Sequence, residues 1–261
     1  MNKFSLFESA FNAEPIGTVS LATVAKVIID DPKRRLPQQE AIRAKATKAE
    51  DDARETGADA ETIDKAFKSV IGRYKDRMRC VSFSADFSKM EKPWRQASEF
   101  IHTGLYCLDY DGIHDKLLCQ QIIDTASAQA STTLAFMSPS HRGVKIVVLA
   151  DVIPETNDEN HGVYKRIAKH YDTLLQIESS HDKSTKDASR LCYIPADPNA
   201  MYNPDAVPLC VDELDEVEDE WTEPVPEPTK TRTESNDEFD EAPLSKRIEG
   251  CLLYTSPSPR D

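Results

Sequence analysis

Two aspartates, two residues apart, form the sharpest chemical signal in the sequence. Residues 104–110 (GLYCLDY) are a nearly continuous apolar run that contains Asp109, and Asp111 follows directly before Gly112. Such a run predicts a central β-strand covered on both faces, and residues two apart on a strand share a face. Adjacent carboxylates repel one another, and a divalent cation such as Mg²⁺ or Mn²⁺ relieves that repulsion. The same residues would also suit an ordinary turn at a strand end.

A turn-rich segment at residues 138–145 (SPSHRGVK) offers groups of the kind that bind phosphate. Its small residues and glycine expose backbone N–H groups, and Arg142 and Lys145 add positive charge. The pattern is compatible with a phosphate-binding loop that includes Ser138 and His141, and also with an ordinary basic hairpin turn.

A third polar segment, residues 181–190 (HDKSTKDASR), lies between a predicted helix and a predicted strand. Asp182 could supply a third carboxylate, which would allow two metal ions to be held for in-line phosphoryl transfer. Arg190 begins the next strand and could face a triphosphate. Alternatively, the segment is a connecting loop whose aspartate and serine side chains cap backbone groups.

The elements that must position these residues predict one domain of the α+β class over residues 1–205. Apolar runs predict strands at residues 81–83, 104–110, 132–137, 144–150 and 190–194, with a hairpin between the third and fourth. Helical spacing predicts helices at residues 20–30, 113–130 and 161–179. Residues 38–79 are charged, thinly apolar and helical in composition, so a helical flank interrupted by Gly57 and Gly72 is expected there.

The acidity of the chain is concentrated towards its end. The formal net charge is −14, and residues 211–243 contain fourteen acidic and only two basic residues. A proline-bearing stretch of this kind cannot bury enough apolar surface to become ordered, so residues 206–250 are predicted to be a disordered acidic linker. Residues 251–261 (CLLYTSPSPRD) resemble a translated sequencing adapter, and we exclude them from the fold.

Several classes of protein are disfavoured by composition. No apolar run approaches the length of a membrane helix, and the first residues lack a signal-peptide pattern, which predicts a cytoplasmic protein without a membrane partner. The six cysteines are scattered without a close pair, which argues against a zinc ribbon and a disulfide framework.

Taken in order, the three polar segments resemble the archaeo-eukaryotic primase superfamily, which carries a strand-borne Asp-x-Asp or Asp-x-Glu, a Ser-x-His-like motif and an isolated aspartate. More closely, they resemble the VirE N-terminal-like domain of primase–helicase proteins from Bacteroidetes mobile elements and phages. The matching segments are residues 104–113 (GLYCLDYDGI), 138–148 (SPSHRGVKIVV) and 182–205 (DKSTKDASRLCYIPADPNAMYNPD). The resemblance extends over roughly residues 5–205.

This resemblance implies a primase–polymerase-like core sheet, similar to that of RNA-recognition motifs, flanked by helices. It implies primer synthesis or DNA polymerisation from nucleoside triphosphates on a single-stranded DNA template, with a helicase domain or protein as a partner. The implied catalytic ligands of Mg²⁺ or Mn²⁺ are Asp109, Asp111 and Asp182. The implied nucleotide-binding residues are Ser138, His141, Arg142, Lys145 and Arg190. Lys145 departs from the usual histidine of the second motif, and a lysine binds phosphate only as a point charge.

Two other functions remain open at this stage. A non-catalytic single-strand-binding or replication module could retain the fold and use basic residues beside aromatics for contacts, as in Trp94-Arg95 and Arg73-Tyr74-Lys75. The Asp-x-Asp-Gly pattern after an apolar strand also resembles the first motif of haloacid-dehalogenase-type phosphatases. In that class Asp109 would be the nucleophile and Asp111 the acid and base, but the later acidic motif expected there is absent.

Overall fold

The computed structural model describes residues 3–30, 34–177 and 180–217, and within these ranges the protein is α+β, as predicted. The five described α-helices are α1 (Leu21–Ile29), α2 (Arg35–Glu55), α3 (Ala60–Lys75), α4 (Lys116–Ser127) and α5 (Asn157–Leu175). The strands are β1 (Lys3–Phe7), β2 (Gly17–Ser20), β3 (Cys80–Ser82), β4 (Ala85–Asp86), β5 (Ile101–His102), β6 (Leu105–Asp111), β7 (Thr132–Met137), β8 (Gly143–Leu149), β9 (Cys192–Tyr193) and β10 (Met201–Tyr202). None of the described helices has the length and apolar character needed to cross a membrane.

The strand that carries the paired aspartates, β6, belongs to an antiparallel sheet with the order β10-β7-β8-β6. β7 and β8 form the predicted hairpin. β8 also pairs with the whole of β6, from Leu105 opposite Leu149 to Asp111 opposite Gly143. The prediction of a central strand was wrong, because β6 lies at the edge of this sheet. On the outer edge of β6, Tyr110 forms a single antiparallel β-bridge with His181.

The main core lies between one face of this sheet and the helices α4 and α5. Tyr106, Leu108 and Tyr110 are buried there and alternate along β6 with the aspartates, since successive residues of a strand point to opposite faces. The helices contribute apolar side chains spaced three and four residues apart. These include Ile122, Ile123, Tyr164, Ile167, Ala168 and Tyr171.

A second antiparallel sheet, with the order β2-β1-β3-β9, includes two strands that the sequence pattern did not predict, β1 and β2. β2 ends at Ser20, and the Ser20 hydroxyl accepts a hydrogen bond from the backbone N–H of Thr23 at 3.3 Å. This contact is an N-cap, and it confirms the predicted start of the first helix.

The predicted helical flank at residues 38–79 contains most of α2 and all of α3, which we call the helical hairpin. Gly57 lies between the two helices with φ 76°, whereas Gly72 lies inside α3 and does not interrupt it. The helices pack on one another through a small buried cluster. Its members are Ile42, Ala46, Phe67 and Ile71.

The helical hairpin contacts the rest of the domain through polar side chains of α2. Gln39 Oε1 accepts a hydrogen bond from the backbone N–H of Ala196 at 2.6 Å. Arg43 Nη1 donates to the carbonyl oxygen of Pro139 at 3.3 Å. Pro139 belongs to the turn between β7 and β8, so the helical hairpin lies against the turn in which a phosphate-binding loop was predicted.

Packed structure continues past residue 205, the boundary expected from composition. The backbone N–H of Leu209 donates to the carbonyl oxygen of Leu149 at 2.9 Å, and Val211 is buried in the main core. These apolar residues precede the most acidic stretch and explain the longer packed region. The linker beyond residue 217 and the tail at 251–261 lie outside the described residues.

Gly143 allows a test of how closely β6 and β8 approach at the end that carries Asp111. A Cβ atom at this position would lie 2.5 Å from Oδ1 of Asp111 and nearer still to the carbonyl oxygen of Tyr110. Gly143→Ala is therefore expected to lower the free energy of unfolding by about 1–3 kcal/mol, the usual cost of forcing atoms into filled space. Urea unfolding followed by circular dichroism measures this change.

Gly162→Ala is the matched control, because a Cβ atom on this glycine of α5 meets nothing within 4 Å. Alanine has the higher helix propensity, so this variant is expected to gain about 0.5–1 kcal/mol. Equal stabilities of the two variants would contradict the close approach of Gly143 to β6.

Candidate metal centre

The three aspartates singled out in the sequence lie together in the structure. Asp109 and Asp111 share a face of β6, and Asp182 is the N-cap of a 3-10 turn at Lys183–Lys186. One carboxylate oxygen of each residue lies within 4.8 Å of one from each of the other two. Asp111 is exposed, and the other two are half-buried, so the cluster can be reached from solvent. Three carboxylates at this spacing could hold a divalent cation.

Backbone contacts bring Asp182 to the strand. Its N–H donates to the carbonyl oxygen of Asp109 at 2.8 Å, next to the bridge between Tyr110 and His181. Oδ1 of Asp182 accepts a hydrogen bond from the N–H of Ser184 at 3.0 Å, which fixes the direction of the carboxylate. One isolated bridge and one backbone hydrogen bond therefore join this segment to the outer edge of β6, and the segment adds one acid to the two already there.

Asp109 has two carboxylate oxygens in different environments. Oδ2 forms an ion pair with Nζ of Lys145, which is the residue directly opposite on β8. Oδ1 is buried and has no hydrogen-bond partner in the described structure. A buried carboxylate oxygen without a partner is costly, and a bound cation would satisfy it. The donor set thus fits a hard divalent cation.

Neighbouring groups shift the pKa values of charged residues at the cluster. Protein atoms around the Asp111 carboxylate remove water and raise its pKa, while Lys75 opposes this rise and Asp182 adds to it. Burial lowers the pKa of Lys145, and Asp182 acts in the opposite direction. The raised pKa of Asp111 thus comes first from burial, with the charge of Asp182 adding to it, and a bound cation would favour the ionised carboxylate.

A buried polar network lies on the opposite face of β6. The hydroxyl of Tyr110 donates to Asp172 Oδ1 at 2.9 Å, and Nδ1 of His181 lies 3.0 Å from both carboxylate oxygens of Asp172. Nε2 of His181 lies 3.0 Å from the hydroxyl of Tyr164, which lies 2.7 Å from Thr185 Oγ1. Tyr110 lies between Asp109 and Asp111 in the sequence, and His181 directly precedes the third aspartate. Through these two neighbours, Asp172 contacts both segments that carry the aspartates.

Ser138 and His141, two of the predicted nucleotide-binding residues, lie in the turn between β7 and β8, and Nε2 of His141 is buried without a hydrogen-bond partner in the described structure. Ser138 is buried, and its Oγ lies 3.0 Å from Oγ of Ser140. His141 has φ 57°, in the left-handed region that few residues other than glycine adopt. Burial lowers the pKa of His141 to about 3, and Arg43 and Lys116 act in the same direction. The imidazole is therefore neutral at physiological pH.

The two predicted arginines also contact protein groups. Nη2 of Arg142 lies 2.5 Å from Glu50 Oε2 on α2, and its guanidinium carbon lies 3.4 Å from the ring centroid of Phe67 on α3. Nε of Arg190 donates to the carbonyl oxygen of Ser184 at 2.8 Å. The structure therefore brings Lys145 to the aspartates, whereas Arg142 joins the turn to the helical hairpin.

Comparison with known families places these residues inside one matched region. Residues 73–202 match the family described as BT4734-like, N-terminal domain. The matched range contains all eight residues that the sequence singled out for chemistry. Comparisons with curated proteins and with solved structures gave no match. The link to primases stays a prediction.

Asp172 and His181 were not singled out in the sequence, although one signal was available for Asp172. It follows Ala168 by four residues and so falls on the apolar face of α5, where an isolated acid requires a buried partner. Lys75 was noted in the sequence only as a basic residue beside Tyr74. No local pattern predicts its electrostatic effect on Asp111, because that effect depends on how the helical hairpin packs.

Asp172→Asn tests whether the buried network supports the fold around the aspartates. The substitution preserves size but replaces one acceptor oxygen by an amide nitrogen, which cannot accept a hydrogen bond from Tyr110 or His181. We expect the free energy of unfolding to fall by about 1–3 kcal/mol, the range for a lost buried hydrogen bond to a charged group. Urea unfolding measures it.

Asp124→Asn serves as the matched control, since Asp124 is exposed on α4 and its carboxylate accepts a hydrogen bond only from Gln120 among the described residues. A surface change of this kind should stay within about 0.5 kcal/mol of the parent protein. If Asp172→Asn were as stable as this control, the network would have no supporting role.

Proposed function

We propose that this domain is a metal-dependent nucleotidyltransferase that synthesises or extends a nucleic-acid primer on a single-stranded DNA template. The observation that carries the proposal is the convergence of Asp109, Asp111 and Asp182, whose carboxylate oxygens lie within 4.8 Å of one another. Clustered carboxylates beside a solvent-accessible edge are the arrangement that phosphoryl-transfer sites use to hold metal ions. A helicase domain or protein as partner is part of the same proposal.

The three aspartates would hold Mg²⁺ or Mn²⁺, and the unpartnered Oδ1 of Asp109 is the oxygen best suited to bind it. Such a cation, when bound, lowers the pKa of an attacking hydroxyl and stabilises negative charge on a leaving pyrophosphate. The protein itself positions the aspartates. Backbone pairing holds Asp182 against β6, and the Asp172 network fixes the strand from behind.

Lys145 has a separate part in this proposal. It is the residue on β8 opposite Asp109, and its ammonium group pairs with the other carboxylate oxygen of that aspartate. The pair occupies Oδ2 of Asp109 and leaves Oδ1 without a hydrogen-bond partner among the described residues. The lysine also keeps a positive charge beside the site, and such a charge favours anionic phosphate groups.

The same ion pair supports a second candidate, a non-catalytic nucleic-acid-binding module. A lysine that already neutralises Asp109 reduces the need for a metal ion, and a domain of this kind could bind a single strand without chemistry. Binding of Mn²⁺ and extension of a primer separate the two candidates.

The test uses the full chain with labelled deoxynucleoside or nucleoside triphosphates, a single-stranded DNA template with and without primer, and Mn²⁺. Asp111→Asn is the informative variant, because Asp111 is exposed and its removal leaves the pair between Asp109 and Lys145 intact. We expect extension to fall at least about 100-fold, the scale for losing one electrostatic contribution in an active site. Asp124→Asn should extend like the parent protein.

Thermal unfolding with added Mn²⁺ supplies a readout that does not depend on turnover. A cation at 100 times its Kd stabilises the folded state by about 2.7 kcal/mol, and Asp111→Asn should reduce this shift. Template binding that survives in Asp111→Asn, together with neither extension nor a Mn²⁺ shift in the parent chain, would refute the enzyme and leave the binding module.

A further inference from the structure

Two stretches of the chain combine basic residues with an aromatic one, and they differ in exposure. In the stretch Arg73-Tyr74-Lys75, the ring of Tyr74 is half-buried and packs against the apolar cluster of the helical hairpin. Trp94, by contrast, leaves 47 % of its surface exposed. A ring can stack on a ligand only where one of its faces is accessible, so Trp94 is the better platform of the two.

Hydrogen bonds hold Trp94 in place although it lies in a loop. Its indole Nε1 donates to Glu14 Oε1 at 2.7 Å, and its backbone N–H donates to the carbonyl oxygen of Lys92 at 2.7 Å. The next backbone N–H, that of Arg95, donates to the carbonyl oxygen of Ala13 at 2.7 Å. The loop that carries Trp94 is thus bonded to the loop between β1 and β2. A ring held in this way loses little conformational freedom when a ligand binds.

The same contacts limit the chemistry that Trp94 can offer to a ligand. Because its indole N–H already bonds to Glu14, the exposed part of the side chain is apolar ring surface. Nζ of Lys92 lies 5.9 Å from the ring centroid, and within the ranges that the structure describes no carboxylate pairs with it. The flexible stem of a lysine lets this ammonium group move to an anion. A nucleotide carries the matching groups, a flat base and a phosphate.

The surroundings of Trp94 favour a negatively charged partner. Residues 88–96 contain three basic residues and one acidic residue, in a chain whose net charge is −14. The loop between β1 and β2, to which this segment is bonded, exposes the apolar side chains of Phe11 and Ile16. Positive charge beside exposed aromatic and apolar surface is the combination that proteins use to bind single-stranded nucleic acid.

We propose that Trp94 and Lys92 form a binding site for single-stranded nucleic acid, in which a base stacks on the indole ring and a backbone phosphate pairs with the Lys92 ammonium group. The bases of a single strand are free to stack on a side chain, whereas those of a duplex already stack on one another. The inference rests on the proposed function only for the role of that strand as a template. Binding at this site requires neither a metal ion nor turnover.

The test measures the Kd of a labelled single-stranded DNA oligonucleotide by fluorescence anisotropy, with full-length chains and without divalent cations. Trp94→Ala is expected to weaken binding about tenfold, the scale of one stacked base, and Trp94→Phe should keep most of the affinity because it retains a ring. Ile153→Ala is the matched control, since Ile153 is another exposed apolar residue in a loop. It should bind the strand like the parent protein.

Lys92→Gln tests the phosphate contact, and Lys48→Gln on the exposed surface of α2 is its control. The slope of log Kd against log salt concentration should become smaller by about 0.7 in Lys92→Gln, the value for one phosphate contact with a single strand. Lys48→Gln should keep the slope of the parent protein. An unchanged slope in Lys92→Gln would overturn the assignment of a phosphate to this lysine.

The emission of Trp94 supplies a readout in which the site itself is unaltered. The chain contains two tryptophans, and Trp221→Phe leaves Trp94 as the sole one. A base that stacks on Trp94 should quench this emission with the same Kd that anisotropy gives. The measurement holds even where Trp94→Ala fails to fold, and a strand that binds without quenching would overturn the inference.

The remaining outcomes separate this site from the proposed enzyme. Primer extension by the parent chain, together with strand binding that Trp94→Ala leaves unchanged, would overturn the inference and leave the enzyme standing. Strand binding through Trp94 without any extension would support the inference and refute the enzyme. If Trp94→Ala instead converted a dimer to a monomer in size-exclusion chromatography and left strand binding unchanged, the surface would join two copies and the inference would fail.

Discussion

The carboxylate of Asp172 ties together two stretches of chain that are otherwise far apart in sequence. It accepts a hydrogen bond from the hydroxyl group of Tyr110 on β6 and lies 3.0 Å from Nδ1 of His181, so the strand and the later segment share one buried carboxylate. Buried polar groups are strongly directional, because an unsatisfied partner costs more than the bond contributes. The same arrangement brings the backbone N–H of Asp182 to the carbonyl oxygen of Asp109 and the three acids to one another.

Charge balance at the cluster follows from strand register. The register of β6 and β8 sets Lys145 opposite Asp109 and Gly143 opposite Asp111, so one acid lies beside a positively charged side chain and the other lies beside a residue without a side chain. A shift of one residue would turn the aspartates towards the apolar core, which is prohibitively costly for charged groups. The packing of Tyr106, Leu108 and Tyr110 against α4 and α5 therefore selects the register that exposes the acids on the other face.

The parts of the fold that follow local rules were predictable from the sequence. Alternation along β6 placed Asp109 and Asp111 on one face, and the β7–β8 hairpin followed from two apolar runs and a turn. The edge position of β6 was missed, because the same apolar run suits a central strand and an edge strand that is paired at Tyr110. The contact of Arg142 with Glu50 joins residues 92 positions apart, and no local pattern reports such a pair.

The backbone hydrogen bond between Asp182 and Asp109 has a consequence for how the protein folds. Between Asp109 and Asp182 the chain must complete α4, the β7–β8 hairpin and α5 before the third acid can return to the first strand. Contacts between segments so distant form late, since the entropy of closing a long loop is lost before any stabilising contact is gained. The third acid can therefore join the first two only after a loop of this length has closed.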